Sequence, residues 1–284
     1  MTEIYSSRFM LGDDVNAVYK LLRFLPIEHC VDVGAASGGT TGLMKRYAPD
    51  CTVDAFEPFP GNIPLFKQST SDLTGVRLRQ AAVTVKPGRS ALRVAPSVSG
   101  NEPGWEDRIG YSSGSRLATG AKSENTIEVE CESIDEAVRG RISFLKIDVQ
   151  GTERDVLESA SNHFDKREVD FCFVEFNGED SILEFFEKYS FHLFYTPFLL
   201  AGKDTVANQS PNLQVVQQKK MSNGYLGECV WDSETPSGAR AFASHLRSMA
   251  KNLKRTVQTD LVCVSSEYLA VFLRAVADLK DSTR

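Results

Sequence analysis

The 284-residue chain has no apolar run near the ~20 residues that a membrane-spanning helix needs. Its start, MTEIYSSRFM, lacks the basic beginning and apolar stretch of a signal peptide. Six cysteines stand far apart, at 30, 51, 131, 172, 229 and 263, with no CxxC pair. A zinc knuckle or dithiol redox motif therefore has no support. These absences point to a reduced, cytoplasmic protein. Positive charge is also short. The net charge of −6 argues against a generic nucleic-acid or acidic-membrane binder. The densest basic run, KNLKR at 251–255, reads as a solvated helix face. Histidine is scarce, and none of the four is well placed for chemistry. His29 precedes the first core strand, His192 begins a late one and His245 sits on a polar helix. His163 closes a helix, where a cation suits the dipole.

What is present is an ordinary globular composition, 42% hydrophobic and 25% charged. Apolar runs alternate with amphipathic stretches. Strands are expected at 29–34, 52–58, 76–83, 141–149, 170–177, 191–197 and 260–266, the last a candidate antiparallel strand. Shorter strand pieces fall at 91–94 and 126–133. Helices are expected at 14–24, 40–48, 60–69, 152–164, 181–189 and 237–255. Such alternation predicts a mostly parallel α/β sheet covered on both faces. No repeat or clear linker appears, so the expectation is one domain over 1–284. It carries an N-terminal helical segment (1–26), an insertion at 86–125 that could serve as a lid, and an irregular, variable region within 198–258.

The run VDVGAASGG at 31–39 nearly loses its side chains between a strand and a helix. Small residues let a ligand approach the backbone, and helix N-terminal amides supply donors. Gly34-x-Ala36-x-x-Gly39 fits the dinucleotide pattern with Ala in its middle slot. Gly34-x-Ala36-x-Gly38 fits the looser pattern of S-adenosylmethionine (SAM) enzymes. Asp32 favours SAM, because it stands where a dinucleotide fold has an aliphatic residue and the cofactor's ammonium group would be a partner, directly or through water. The alternative is that Asp32 caps a neighbouring helix. Glu57 ends the second strand, where a carboxylate can accept both ribose hydroxyls of NAD or SAM. Pro58-Phe59-Pro60 then rigidifies the turn and offers Phe59 to the adenine region.

With both acids placed, the sequence resembles the FkbM family of SAM-dependent methyltransferases. The resemblance rests on VDVGAASGGTT, VDAFEPFPGN, the pair GRSALRV and GYSSGS, and ISFLKIDVQGTERDVLESA followed by FVEF, with DLVCVSSEYL near the end. It spans roughly residues 27–200 plus 260–270. It implies a Rossmann-like, seven-stranded class I methyltransferase sheet and methylation of hydroxyl groups on sugars, glycans or secondary metabolites. It also implies that Asp32, Gly34, Ala35, Ala36 and Gly38 cradle the methionine end, Glu57 takes the ribose, and Ala81 and Ala82 lie beside the adenine. The family usually has Asn where this chain has Ala36, so a polar contact is lost or replaced by Ser37. Tyr111-Ser112-Ser113 resembles a family block, which makes Ser113 the preferred loop contact to the acceptor; Tyr111 and Trp105 could stack on a sugar face.

Methyl transfer to oxygen needs a positioned hydroxyl and an exit for its proton. In FLKIDVQGTE, Lys146 and Asp148 share one strand face. Glu153 opens the next helix and Glu175 ends another strand. Three readings of Asp148 stay open. It is a general base or hydroxyl orienter; or it gathers a divalent cation with Glu153 and Glu175; or it only pairs with Lys146 or a backbone amide. The expectation is metal-free transfer, with Asp148, Glu175 and Lys146 catalytic and Glu153 near the substrate. Rival functions are an NAD or nucleotide-sugar oxidoreductase, against which the missing Tyr-x-x-x-Lys counts, and a non-catalytic SAM-binding partner protein.

Overall fold

A computed structural model describes residues 4–6, 16–94, 116–117, 126–195, 198–202, 213–221, 224–231, 239–253 and 257–282. Tyr111, Ser113 and Trp105, and most of the proposed lid, lie outside these residues. In chain order the strands are β1 (Ile4–Ser6), β2 (His29–Val33), β3 (Thr52–Phe56), β4 (Val76–Arg79), β5 (Ala82–Val83), β6 (Gly88–Arg93), β7 (Arg116–Leu117) and β8 (Thr126–Glu132). They continue with β9 (Ile142–Ile147), β10 (Val169–Phe176), β11 (Phe191–Tyr195), β12 (Phe198–Gly202), β13 (Leu213–Met221), β14 (Gly224–Trp231) and β15 (Val257–Ser265). The helices are α1 (Ala17–Leu21), α2 (Gly39–Tyr47), α3 (Ile63–Ser69), α4 (Ile134–Ala137), α5 (Glu153–Glu158), α6 (Ser161–Asp165), α7 (Asp180–Lys188), α8 (Ala239–Leu253) and α9 (Leu269–Ser282).

The chain divides into two compact units, Pro26–Cys172 and Met1–Leu25 with Phe173–Arg284, the boundary falling inside β10. The first holds the Rossmann-like half. There β9, β2, β3 and β4 lie side by side and parallel, with Val33 opposite both Phe56 and Ile147. All six residues of β9 and the last four of β2 are buried, as continuous apolar strands in a two-sided sheet should be.

The single strand expected at 76–83 is two. β4 stays in the parallel sheet; β5 belongs to a second sheet ordered β5-β8-β6-β7. Arg79 marks the change of direction. Its carbonyl accepts from the Glu57 amide at 3.0 Å, and its guanidinium donates to Glu132 and the Ala137 carbonyl at 2.8 Å each. Within β8, Val129 and Cys131 point into a small core with Ala82 and Leu92, while Glu128 and Glu130 face Arg89 outside.

The helix expected at 152–164 is also divided, into α5 and α6. Ser159 interrupts it: the hydroxyl donates to the Val156 carbonyl at 2.7 Å, and the Ser159 carbonyl accepts from the Asp135 amide at 2.9 Å.

In the other unit, β11 runs antiparallel to β15 and parallel to β1. The described residues within 198–235 are strands, not the irregular structure expected. β12, β14 and β13 form an antiparallel ribbon. The polar run QQKK at 217–220, several glycines and a register break at Val215/Gln217 hide the period of two from the sequence. The core is aromatic, with Phe176 and Phe242 stacked at 6.3 Å. Helix α9 was not anticipated, although its buried Phe272, Ala275, Val276 and Leu279 have helical spacing.

Candidate active site

The glycines after β2 serve different ends. Gly34 has φ +79°, and a Cβ there would lie 1.9 Å from the Asp148 carbonyl oxygen. Gly38 has φ +86°, and its Cβ would lie 2.6 Å from the Ser69 hydroxyl at the end of α3. Both are small because neighbouring chain occupies the space. Gly39 differs: nothing lies within 4 Å of an added Cβ, and the residue lines a cavity. The amides of Gly34 and Ala35 both donate to the Phe56 carbonyl at 3.0 Å. These two amides are thus committed to the sheet, while Gly34, Ala35, Ala36 and Ser37 all line the cavity.

Asp32 is fully buried (0% exposed) and is not part of the cavity lining. Its Oδ2 accepts from Thr40 at 2.7 Å and Thr41 at 2.6 Å in the first turn of α2, and its Oδ1 lies 3.3 Å from Lys146 Nζ. The helix-holding alternative therefore describes its contacts. Lys146, 3% exposed, does line the cavity. Its ammonium donates to the Gly34 carbonyl at 2.7 Å and the Val33 carbonyl at 3.3 Å, and lies 3.8 Å from Asp148 Oδ2. A buried ammonium needs such partners to stay charged.

Glu57 lines the cavity from the end of β3 and is 5% exposed. Oε2 accepts from the Ala36 amide at 2.8 Å and Oε1 from the Phe59 amide at 2.7 Å. Burial pushes its carboxyl above the usual range, opposed by these two amides, the Asn62 side chain and the Lys146 charge. The two amides and Asn62 take three of the carboxylate's roughly four acceptor sites, which leaves room for a further donor such as a ribose hydroxyl. Pro58, Ala81 and Ala82 line the same cavity. Phe59 does not; it packs on the small core of Ala82, Leu92, Val129 and Cys131. Val83, Leu92 and Leu117 complete an apolar wall that sequence reasoning missed. The turn from one sheet to the other brings it there.

At the far end stand Asp148, Val149, Gln150 and Thr152. The Asp148 side chain is 45% exposed and accepts from Gln150 Nε2 at 3.0 Å. Glu153, 2% exposed, faces away from the cavity. Its carboxylate accepts from the Gly151 amide at 2.9 and 3.1 Å and from the Val149 amide at 3.3 Å. Burial raises its carboxyl, the amides of Gly151, Glu153 itself and Val149 opposing. The expected substrate or metal role of Glu153 thus meets a carboxylate already occupied by its own loop. Glu175 is buried in β10, within the other compact unit. Among the described residues, no three His, Cys, Asp or Glu side chains are gathered to hold a metal ion.

The histidines pair elsewhere: His29 with Asp54 at 3.0 Å and His163 with Asp135 at 2.9 Å. Five cysteines, Cys30, Cys51, Cys131, Cys172 and Cys263, are free thiols. No described helix is long and apolar enough to cross a membrane.

The cavity has an apolar wall, a buried carboxylate with acceptor capacity to spare, and a half-exposed acid beside a buried ammonium. These residues fit an adenosyl cofactor with a reactive end near Asp148. Residues 32–193 match the Methyltransferase FkbM domain. A Beauveria bassiana protein named Methyltransferase 1 is 26% identical over 164 residues, covering 53% of this chain and 66% of that protein. The FkbM methyltransferase structure from Methylobacillus flagellatus superposes with a TM-score of 0.41 at 12% identity, over 66% of this chain and 52% of that one. A precorrin-6y C5,15-methyltransferase from Geobacter metallireducens gives 0.38 at 12% identity, over 80% and 93%. The chain thus spans about two thirds of the fungal relative and about half of the Methylobacillus structure. With the family domain covering more than half of the chain, this protein belongs to the FkbM methyltransferase family and has its Rossmann-like class I fold.

Proposed function

We propose that the protein is a SAM-dependent O-methyltransferase acting on a hydroxyl of a sugar, glycan or secondary metabolite. The observation that carries this reading is the pair of acids in one cavity: Glu57 with acceptor capacity left after its loop contacts, and Asp148 half exposed beside Lys146. SAM would supply an activated methyl group on a sulfonium, a good leaving group. Glu57 would accept the ribose hydroxyls, with Ala81, Ala82 and Leu92 against the base.

Asp148 would accept a hydrogen bond from the acceptor hydroxyl and hold its oxygen in line. The hydroxyl proton would pass to Asp148 and then to solvent as the C–O bond formed and the methyl C–S bond broke, leaving SAH. A carboxylate near an ammonium is a weak base, so its main contribution is orientation, with proton removal late in the transfer. Gln150 fixes the Asp148 carboxylate from one side and Lys146 attracts it from the other. No divalent cation is needed in this scheme. The acceptor is a small molecule or glycan, not nucleic acid, and the five free thiols suit a reducing cytoplasm.

The test is transfer from labelled SAM to a panel of glycans and pathway metabolites, with and without chelator, alongside calorimetry with SAM, its product S-adenosylhomocysteine (SAH) and NAD. SAH binding with O-linked label on an acceptor supports the reading. NAD binding without SAM binding refutes it, and SAM binding with no transfer across the panel favours a non-catalytic binding protein.

A further inference from the structure

Loop 148–152 forms one end of the cavity through Asp148, Val149, Gln150 and Thr152. Its backbone is unusual. Gln150 has φ +63° and Gly151 φ +113°, two left-handed or glycine-favouring residues in succession. Nothing lies within 4 Å of a Cβ built on Gly151, so conformation, not crowding, calls for glycine there. A non-glycine residue at φ +63° costs free energy and persists only when its surroundings hold it. Such turns also aim successive N–H groups into one concavity that suits an anion. Here the anion is internal. The buried Glu153 carboxylate takes the Val149 amide, the Gly151 amide through both oxygens, and its own backbone amide.

We propose that Glu153 is a positioning residue of the active site, an internal ligand whose hold on the 149–151 amides keeps Gln150 left-handed and so sets Asp148 and Gln150 at the cavity edge. It touches neither cofactor nor acceptor. The Gln150–Asp148 hydrogen bond of 3.0 Å and the seat of the Asp148 carbonyl against Gly34 carry that placement to the cofactor loop. The inference rests on the cavity being the SAM site.

The experiment is a cycle on the full chain: Glu153→Gln, Gln150→Gly and the double variant, each measured for SAH affinity by calorimetry and for melting temperature. Glutamine keeps the shape of Glu153 but accepts through one oxygen only, so Glu153→Gln should weaken SAH binding about 5- to 30-fold. Glycine adopts a positive φ freely but lacks the side chain that holds Asp148, so Gln150→Gly is the reference arm of the cycle and not a silent variant. The double variant should bind SAH within about threefold of Gln150→Gly alone, because the conformation that Glu153 enforces no longer needs enforcing.

Several results overturn the proposal. One is a double variant that loses as much affinity relative to Gln150→Gly as Glu153→Gln loses relative to wild type. Another is Glu153→Gln with wild-type affinity. A third is Glu153→Gln that only melts earlier while its folded molecules bind SAH normally, since that is a structural role alone. If Glu153→Gln does not fold, the double variant decides: it should fold and bind, and its failure refutes the idea. Wild-type protein that binds no SAH refutes the SAM reading instead, so the two failures are distinct.

Discussion

The two loops that bound the cavity use the same device in opposite ways. The loop after β2 carries a non-glycine residue with positive φ, Ala36 at +47°, whose amide is held by a buried glutamate, Glu57. The loop after β9 carries Gln150 at +63°, flanked by amides held by another buried glutamate, Glu153. Burial raises the carboxyl of both. Yet Glu57 lines the cavity and Glu153 does not. A carboxylate that satisfies a loop from the cavity side keeps lone pairs for a ligand. One that satisfies it from behind can act only through the loop. Sequence alone ranks both acids as contacts; their facing separates them.

The sharpest way to break the comparison is where the loops touch. Gly34→Ala would drive a methyl group into the Asp148 carbonyl at a positive φ, and we expect a loss of about 4 kcal/mol of stability or failure to fold, read by chemical unfolding. Gly39→Ala, with open space around it, should fold normally and weaken SAH binding instead. Equal stability of the two variants would contradict the packing described here.

Asp148→Asn separates chemistry from binding at the second loop. The side chain is half exposed, so the fold and SAH affinity should change little. Methyl transfer to an acceptor found in the panel should fall ~10²–10⁴-fold, the range for a lost acid–base group, and chelator should alter neither protein. Near-full activity of Asp148→Asn in chelator would leave Asp148 structural.

The openness of Glu57 has a pH signature. Its carboxyl titrates above the ordinary 4.5, mainly through burial. In the proposed binding mode the ionised form would accept from the ribose, so SAH affinity should hold at neutral pH. It should fall as pH drops through that raised value, earlier than an exposed glutamate would allow. Glu57→Gln should remove this acid limb, and Glu57→Ala should cost about 1.5–3 kcal/mol of SAH binding at pH 7. An acid limb that survives in Glu57→Gln assigns it to another group. The smallest effect concerns the strain in the first loop. Ala36→Gly relieves a left-handed alanine but gains freedom in the unfolded chain, for a net stabilisation of about 0.5 kcal/mol by thermal melting.

Much of the first compact unit was legible because its signals are local. β2 and β9 are continuous apolar strands, and Glu57 ends β3 as the pattern required. Where the structure adds to or departs from the sequence reading, the cause is a choice of partner that the residue pattern does not display. Asp32 faces α2 because Thr40 and Thr41 offer hydroxyls, a feature that looks like ordinary helix sequence. Residues 76–83 read as one strand because nothing local announces that Arg79 is pinned by Glu132, 53 positions away. Glu153 reads as a site acid until the amides behind it are seen. The β13–β14 ribbon was missed for another reason: its side chains carry too little hydrophobic contrast to display a period.

The seat of Gly34 against Asp148 also bears on how this site can vary over time. With a carbonyl oxygen 1.9 Å from where any side chain would begin, position 34 is spelled with a single letter, and no compensating change in a distant side chain can widen the choice, because the obstruction is backbone. New preferences for cofactor or acceptor must be written around it, at open places such as Gly39 or at rim residues such as Gln150 and Thr152. The two loops are thereby inherited as one word, and drift in either is confined to the part that faces the cavity.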